Sequence, residues 1–324
     1  MQLETFKALG LDKAWGDHHS FDYQVNGRAN AEIEQALNTP GDVQYHPCPE
    51  AYEREGIAKG EVHVFRDWTE AKFYPHTQRK ISVYVPAQSG VGVQPLNLLV
   101  FSDGDGYLSS RGSIRAANVL DNLIADGLLP ATLGVFVNPG IPEGLTFVKN
   151  ARPDPKANQQ RSFEYDSCTP DYVEFLLQRV LPFVSKELGV ALSQQAADRA
   201  ICGISSGGIC AFNAAWHRPD QFGKVISHCG SFTNIRGGHN YPYLIRSTPR
   251  KALQVFLQSG EMDAEIVTGS WPLANQQMAA ALAFAGYPHR FEFGTGGHNL
   301  RHGGALFADT LKWLWPVDLP LACR

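Results

Sequence analysis

Residues 199–219 read RAICGISSGGICAFNAAWHRP, and the fold turns on how this stretch divides. RAIC is a short apolar run of the kind that forms a buried strand. It enters Gly203-Ile204-Ser205-Ser206-Gly207-Gly208, and ICAFNAAWHRP behind it reads as a helix. The pattern is G-x-S-x-G in a strand, tight turn, helix context, where small neighbours permit a strained backbone at the central serine and project its hydroxyl outward. That serine is Ser205, and the N–H of Ser206 behind it is placed to donate to an oxyanion. A glycine-rich turn that only tightens a strand–helix junction reads the same way, so the assignment needs partners elsewhere in the chain.

Outward from the turn, NLLVFS (97–102) and TLGVFV (132–137) are short continuous apolar runs, as in strands covered on both faces. EVHVFRDW (61–68) and RKISVYVP (79–86) alternate apolar with polar residues, as paired antiparallel strands do. In 171–189, Val173, Leu176, Leu177, Val180, Leu181, Val184 and Leu188 form one helical stripe, with Pro182 expected to bend it. KVISH, LQVFLQ and HRFEFG then alternate with helices predicted at 207–217, 272–285 and 303–315. Strands interleaved with helices predict an α/β fold, a mostly parallel central sheet with helices on both faces. Residues 1–59, polar and turn-rich with one short helix around RANAEIEQAL, are read as an N-terminal extension, and 60–324 as a single catalytic domain.

The 324 residues are 44% hydrophobic and 19% charged, and 28 basic against 32 acidic side chains give a formal charge of −4. With no single-sign block, neither a nucleic acid nor a membrane is an expected partner. No export signal or spanning segment is visible, so a cytoplasmic location is expected, with a periplasmic or secreted one left open. Six cysteines are too sparse for a disulfide scaffold; buried, reduced thiols are expected, although a Cys48–Cys168 bridge is compatible with the even count.

GGHN occurs twice, at 237–240 and 296–299. In hydrolases with this elbow the acid and then the histidine follow the serine, each from the end of a later strand. His239 follows Ser205 by one strand and precedes any free acidic strand end; His298 follows the last strand and leads into the final helix. The order therefore selects His298 as the base. His239 is left as a loop residue or a pocket-lining one. LQVFLQ runs into Ser259-Gly260-Glu261-Met262-Asp263. Asp263 is preferred as the acid because a shorter side chain three residues past the glycine can turn back under the imidazole; Glu261 is the alternative. His298 and His302, four apart, could hold a metal on a helix, but no interior Glu or third ligand accompanies them, so no metal and no cofactor are expected.

The run NLLVFSDGDGYL (97–108) ends in Asp103-Gly104-Asp105-Gly106, where amides of Gly104 and Asp105 would join that of Ser206 as oxyanion donors. As a plain turn, Asp-Gly would read identically. In RSFEYD (161–166), read as a loop, Arg161, Glu164 and Tyr165 are expected on the rim of the site, together with Trp271 of GSWPLANQ. The competing readings are a salt-bridged loop and a core anchor.

From about Gly60 to Trp315 the chain resembles the esterase family of the α/β-hydrolase fold that includes enterochelin esterases and carbohydrate-linked feruloyl and acetyl esterases. The resemblance rests on YPHTQRKISVYVPA, LLVFSDGDGYL, DNLIADGLLPATLGVFVNPG, RSFEYD, GISSGG, LQSGEMD with WPLANQQM, and GGHN before the last helix. It implies Ser205 as nucleophile, Asp263 as acid and His298 as base. The family's oxyanion strand often ends in a His-Gly turn, where this chain has Asp103-Gly104. The resulting expectation is a metal-independent serine ester hydrolase acting on a small-molecule polar or phenolic ester, with a homo-oligomer left open. The competing readings are an acyltransferase, a non-catalytic ligand-binding relative, and a metal hydrolase using His298 and His302.

Overall fold

The computed structural model describes residues 39–89, 94–145 and 154–317. The predicted 28–37 helix lies outside them. The strands are β1 (Glu61–Thr69), β2 (Thr77–Val85), β3 (Asn97–Ser102), β4 (Thr132–Val137), β5 (Ile141–Pro142), β6 (Arg199–Ile204), β7 (Lys224–His228), β8 (Gln254–Met262), β9 (Glu265–Ile266), β10 (Gly269–Ser270) and β11 (His289–Gly297). The helices are α1 (Gly104–Leu108), α2 (Ala116–Ala125), α3 (Pro155–Asp166), α4 (Asp171–Phe175), α5 (Leu181–Leu188), α6 (Ser206–His217), α7 (Tyr241–Ser247), α8 (Trp271–Phe284) and α9 (Arg301–Leu314).

The main sheet runs β1-β2-β4-β3-β6-β7-β8-β11, with β5 on β2. β2 pairs antiparallel with β1 and β4, and every pairing from β4 to β11 is parallel. The alternating and continuous apolar patterns thus separate the antiparallel end from the doubly covered parallel part. Within β3, Leu98 and Val100 join one apolar layer while Leu99 and Phe101 join the other, as the two-residue repeat of a strand requires. The first layer takes α3 to α8, the second α1, α2 and α9. Each fully buried aliphatic or phenyl side chain in these layers contributes roughly 1.5–3 kcal/mol.

Residues 171–188 are helical throughout, as the stripe predicts, but not uniformly α-helical. A π-helical turn, Leu176–Val180, separates α4 from α5. Pro182 is the second residue of α5, directly behind this wide turn.

RSFEYD is helical, forming the second half of α3, which corrects its reading as a loop. Asp154 caps the helix by accepting from Lys156 N at 2.8 Å, and Pro155 opens it; this Asp-Pro start is a sequence signal in its own right. Glu164 faces the core and not the rim. Its carboxylate binds Arg79 Nη1 at 2.6 Å and Nη2 at 3.1 Å, and accepts from Gly140 N and Gln160 Nε2. Arg79 in turn lies over the rings of Tyr74 and Phe175. Removing one partner leaves an uncompensated buried charge, so Glu164→Ala should lower the unfolding free energy by about 3–5 kcal/mol. Urea titration measures this; an unchanged midpoint would contradict the structural role.

Cys48 packs in the second layer and Cys168 against the first, so the sheet separates them, and both are free thiols. Cys202, Cys210 and Cys229 are buried and free as expected. Part of the expected N-terminal extension belongs to the domain: the 3-10 turns Pro40–Asp42 and Pro49–Ala51 pack on β11 and α2, and Cys48 and Ala51 sit in the core. Among the described residues no helix is long and apolar enough to cross a membrane.

Candidate active site

β6 delivers the chain to Ser205 and α6 takes it away. Ser205 has φ 60° and ψ −125°, outside the wells open to ordinary residues. Backbone bonds hold it there: Ser205 N donates to His228 O at 2.9 Å, and Ser205 O accepts from Ser231 N at 3.0 Å as well as from Gly208 N and Ile209 N of the helix. Gly203 must be glycine, since a Cβ would fall 2.1 Å from Gly207 O. The strained turn lifts the Ser205 hydroxyl above the sheet.

His298, at the end of β11, places Nε2 2.8 Å from Ser205 Oγ. Its Nδ1 donates to Asp263 Oδ1 at 2.6 Å, so Nε2 is left to accept the serine proton. Asp263 is fully buried in its side chain and is itself held by Ser259 Oγ to Oδ2 at 2.6 Å and Ala264 N to Oδ1 at 2.8 Å. Glu261, the alternative acid, is exposed. His239 is exposed on the turn Gly238–Asn240 and takes no hydrogen bond from Ser205, Asp263 or His298. His302 is turned away from His298: its ring stacks on Tyr45 at 4.2 Å and its Nδ1 faces Gln258 Nε2 at 3.2 Å. The His298–His302 metal pair is therefore not formed. Cys229 Sγ does lie within 4.8 Å of ligand atoms of Asp263 and His298. Burial and the neighbouring carboxylate push its thiol well up, which disfavours the thiolate that metals and electrophiles take.

Trp271, the first residue of α8, is buried. Its ring edge meets His298 at 5.7 Å between centroids, and its Nε1 donates to Ser231 Oγ at 3.2 Å. Ser231 Oγ lies 3.3 Å from Ser205 Oγ. Ser231, absent from the sequence reading, follows the end of β7 in CGSF, a glycine-serine pair that marks a strand-end turn.

On the other side of the elbow, Asp103 adopts a left-handed conformation, and its carboxylate lies 3.1 Å from where a Cβ on Gly207 would stand. Arg161 grips that carboxylate through Nε at 2.9 Å and Nη2 at 2.6 Å, at the partly exposed edge of the site. Gly104 and Ser206 each open a helix, so their N–H groups have no intrahelical acceptor. Asp105 drops out as a donor because its N–H is given to Asn138 Oδ1 at 3.0 Å, while its carboxylate pairs with Lys80. Tyr165 is corrected as well: it is buried, its hydroxyl accepts from Asp103 N at 3.1 Å, and it supports the turn from behind. Behind Ser206 lies buried Asp166, pushed up by desolvation against the opposing pull of Arg161, Ser162, Ser206 and Arg236. Arg236, also unread in the sequence, lies beside the GGHN whose histidine drew attention; its guanidinium sits 6.0 Å from the ring of half-exposed Phe163.

A parallel sheet flanked by helices, a serine on a strained strand-to-helix turn and a histidine from the last strand define the α/β-hydrolase fold. The family model described as "Putative esterase" matches residues 74–314, and the chain belongs to that family. It is 28% identical over 137 residues to the iron(III) enterobactin esterase of Dickeya dadantii (strain 3937), covering 38% of this chain and 30% of that one. A structure of the Shigella flexneri enterobactin esterase in the presence of 2,3-dihydroxy-N-benzoyl-serine superposes with a TM-score of 0.61 at 21% identity, over 83% of this chain and 62% of that one. A ferulic acid esterase of Anaeromyces mucronatus gives 0.60 at 15% identity, over 82% and 95%. The chain thus spans under a third of the curated relative's length and about three fifths of the Shigella chain.

Proposed function

We propose that the chain is a serine carboxylic-ester hydrolase working through an acyl-enzyme. Ser205 Oγ attacks the ester carbonyl as His298 Nε2 takes its proton; Asp263 fixes the Nδ1–H tautomer and stabilises the imidazolium. The amides of Ser206 and Gly104 receive the oxyanion, aided by the positive end of the α6 dipole. His298 returns its proton to the leaving alcohol, and water repeats the attack. The observation that carries this reading is the continuous Ser205–His298–Asp263 relay, 2.8 and 2.6 Å long, on a strained elbow.

For the substrate, the reading is a polar or phenolic ester: an acyl sugar, a feruloyl-type ester or a catecholate siderophore lactone. It is supported by the paired charges of Arg161 and Asp103 at the rim and by Arg236 beside the exposed ring of Phe163. Guanidinium groups and an aromatic face suit hydroxylated rings by stacking and bidentate hydrogen bonding better than they suit a long acyl chain. The test is a panel of p-nitrophenyl, feruloyl, acetyl-sugar, catecholate and C12 esters, assayed with wild type, Ser205→Ala and Arg236→Ala. Preferred turnover of the C12 ester, untouched by Arg236→Ala, would contradict the substrate reading and leave the mechanism standing.

The acid is tested separately. Asp263→Asn should lower kcat by at least ~10²-fold, because the amide presents the wrong hydrogen-bonding pattern to Nδ1. Glu261→Gln should stay within about twofold on p-nitrophenyl acetate, its side chain being exposed and outside the relay. The reverse ranking would move the acid to Glu261.

A further inference from the structure

His298 sits in Gly294-Thr295-Gly296-Gly297-His298, a run whose glycines leave the backbone little intrinsic rigidity. Among the described residues β11 ends the sheet and has β8 as its one neighbour. Asp263 aligns the imidazole ring, but the ring can be no better placed than the backbone beneath it. The segment that grips this backbone lies some 250 residues earlier in the chain.

Asp42 is buried in the turn Pro40–Asp42. Its Oδ1 accepts from Gly297 N at 3.0 Å and its Oδ2 from Asn299 Nδ2 at 2.8 Å, so one carboxylate holds both chain neighbours of His298. Thr39 N and Oγ1 close the remaining positions on Oδ2. Three residues on, Tyr45 Oη accepts from Thr295 N at 3.0 Å while its ring stacks on His302. Thr295 Oγ1 donates to Gly41 O at 2.9 Å. The fit is close: a Cβ on Gly294 would stand 2.0 Å from Tyr45 Oη. Residues 39–45 therefore form a strap across the histidine loop.

We infer that Asp42 is a positioning residue for His298, and that the strap belongs to the active site although it lies outside the matched 74–314 region. The inference rests on the reading of His298 as the base. Asp42 touches no reacting atom. It acts by fixing the imidazole within the distance at which Nε2 can take the Ser205 proton, where misplacement by about 1 Å can cost on the order of 10²-fold. Loss of the clamp should consequently appear in kcat and not in KM.

The test uses the full chain. Asp42→Asn puts an amide where Oδ2 accepts three donors, and should lower kcat by about 10- to 100-fold with KM within about twofold. The rate at which a fluorophosphonate labels Ser205 should fall by the same factor, normalised to folded protein by near-ultraviolet circular dichroism. The exchanged pair Asp42→Asn/Asn299→Asp restores a donor–acceptor contact and should recover at least ~5-fold of the loss, which a merely destabilising change would not do. Tyr45→Phe keeps the stacked ring, loses the acceptor for Thr295 N–H, and should lower kcat by ~3- to 10-fold; it decides the matter if Asp42→Asn does not fold. Unchanged kcat in the folded variants, a loss confined to KM, or no recovery in the exchanged pair would overturn the inference. An unlabelled, inactive wild type would instead overturn the hydrolase reading on which it rests.

Discussion

Ser205→Ala lowers kcat/KM by at least ~10⁴-fold on any ester the wild type cleaves, and leaves the urea midpoint within experimental error. The size follows from the role: without Oγ there is no acyl-enzyme, and what survives is the contribution of the oxyanion amides and substrate binding. The fold is spared because Ser205 holds its conformation through backbone bonds to His228 O and from Ser231 N, which alanine keeps. Ser206→Ala supplies the register control. Its N–H, the proposed oxyanion donor, survives the substitution, so activity should fall by no more than about tenfold. Loss of activity in Ser206→Ala with retention in Ser205→Ala would shift the elbow by one residue.

His298→Ala is expected to be nearly as damaging, at ~10⁴-fold or more, and Ser205→Ala/His298→Ala hardly worse than either change alone. Nucleophile and base act as one unit, so removing the second after the first removes little more. His239→Ala, on an exposed turn, should change KM at most. Equal loss at both histidines with unchanged folding would undo the choice between the two GGHN segments. Multiplicative loss in the double variant would mean that Ser205 and His298 act in separate steps.

The elbow was legible because its meaning is local. A strand, two glycines and a helix constrain each other within ten residues, and Gly203 is forced by a carbonyl four residues on. That Asp263 and His298 meet at Ser205 was legible because a parallel sheet puts successive strand ends on one rim. That topology follows from interleaved strand and helix patterns. Contacts that join distant segments were not legible. Nothing in PGDVQY announces that Asp42 will accept from Gly297, and nothing in RSFEYD distinguishes Arg161, at the edge of the site, from Glu164, which faces Arg79 in the core three residues later along the same helix. Asp105 was misjudged for a related reason, since the donor capacity of an amide depends on whether Asn138, 33 residues away, claims it. The Asp-Pro start of α3 could have been read and would have made RSFEYD helical, but Arg161, Glu164 and Tyr165 then share one face at i, i+3 and i+4, so only their distant partners separate them.

The most direct test of the central claim is to locate the adduct formed when a fluorophosphonate reacts with the intact protein, by peptide mass spectrometry on wild type and His298→Ala. The account predicts one covalent phosphonyl group, on Ser205 in the peptide containing RAICGISSGGICAFNAAWHRP, with labelling slowed by at least ~10²-fold when His298 is absent. An adduct on Ser206 or Ser231, or ester hydrolysis by a wild-type protein whose Ser205 stays unmodified, would contradict it.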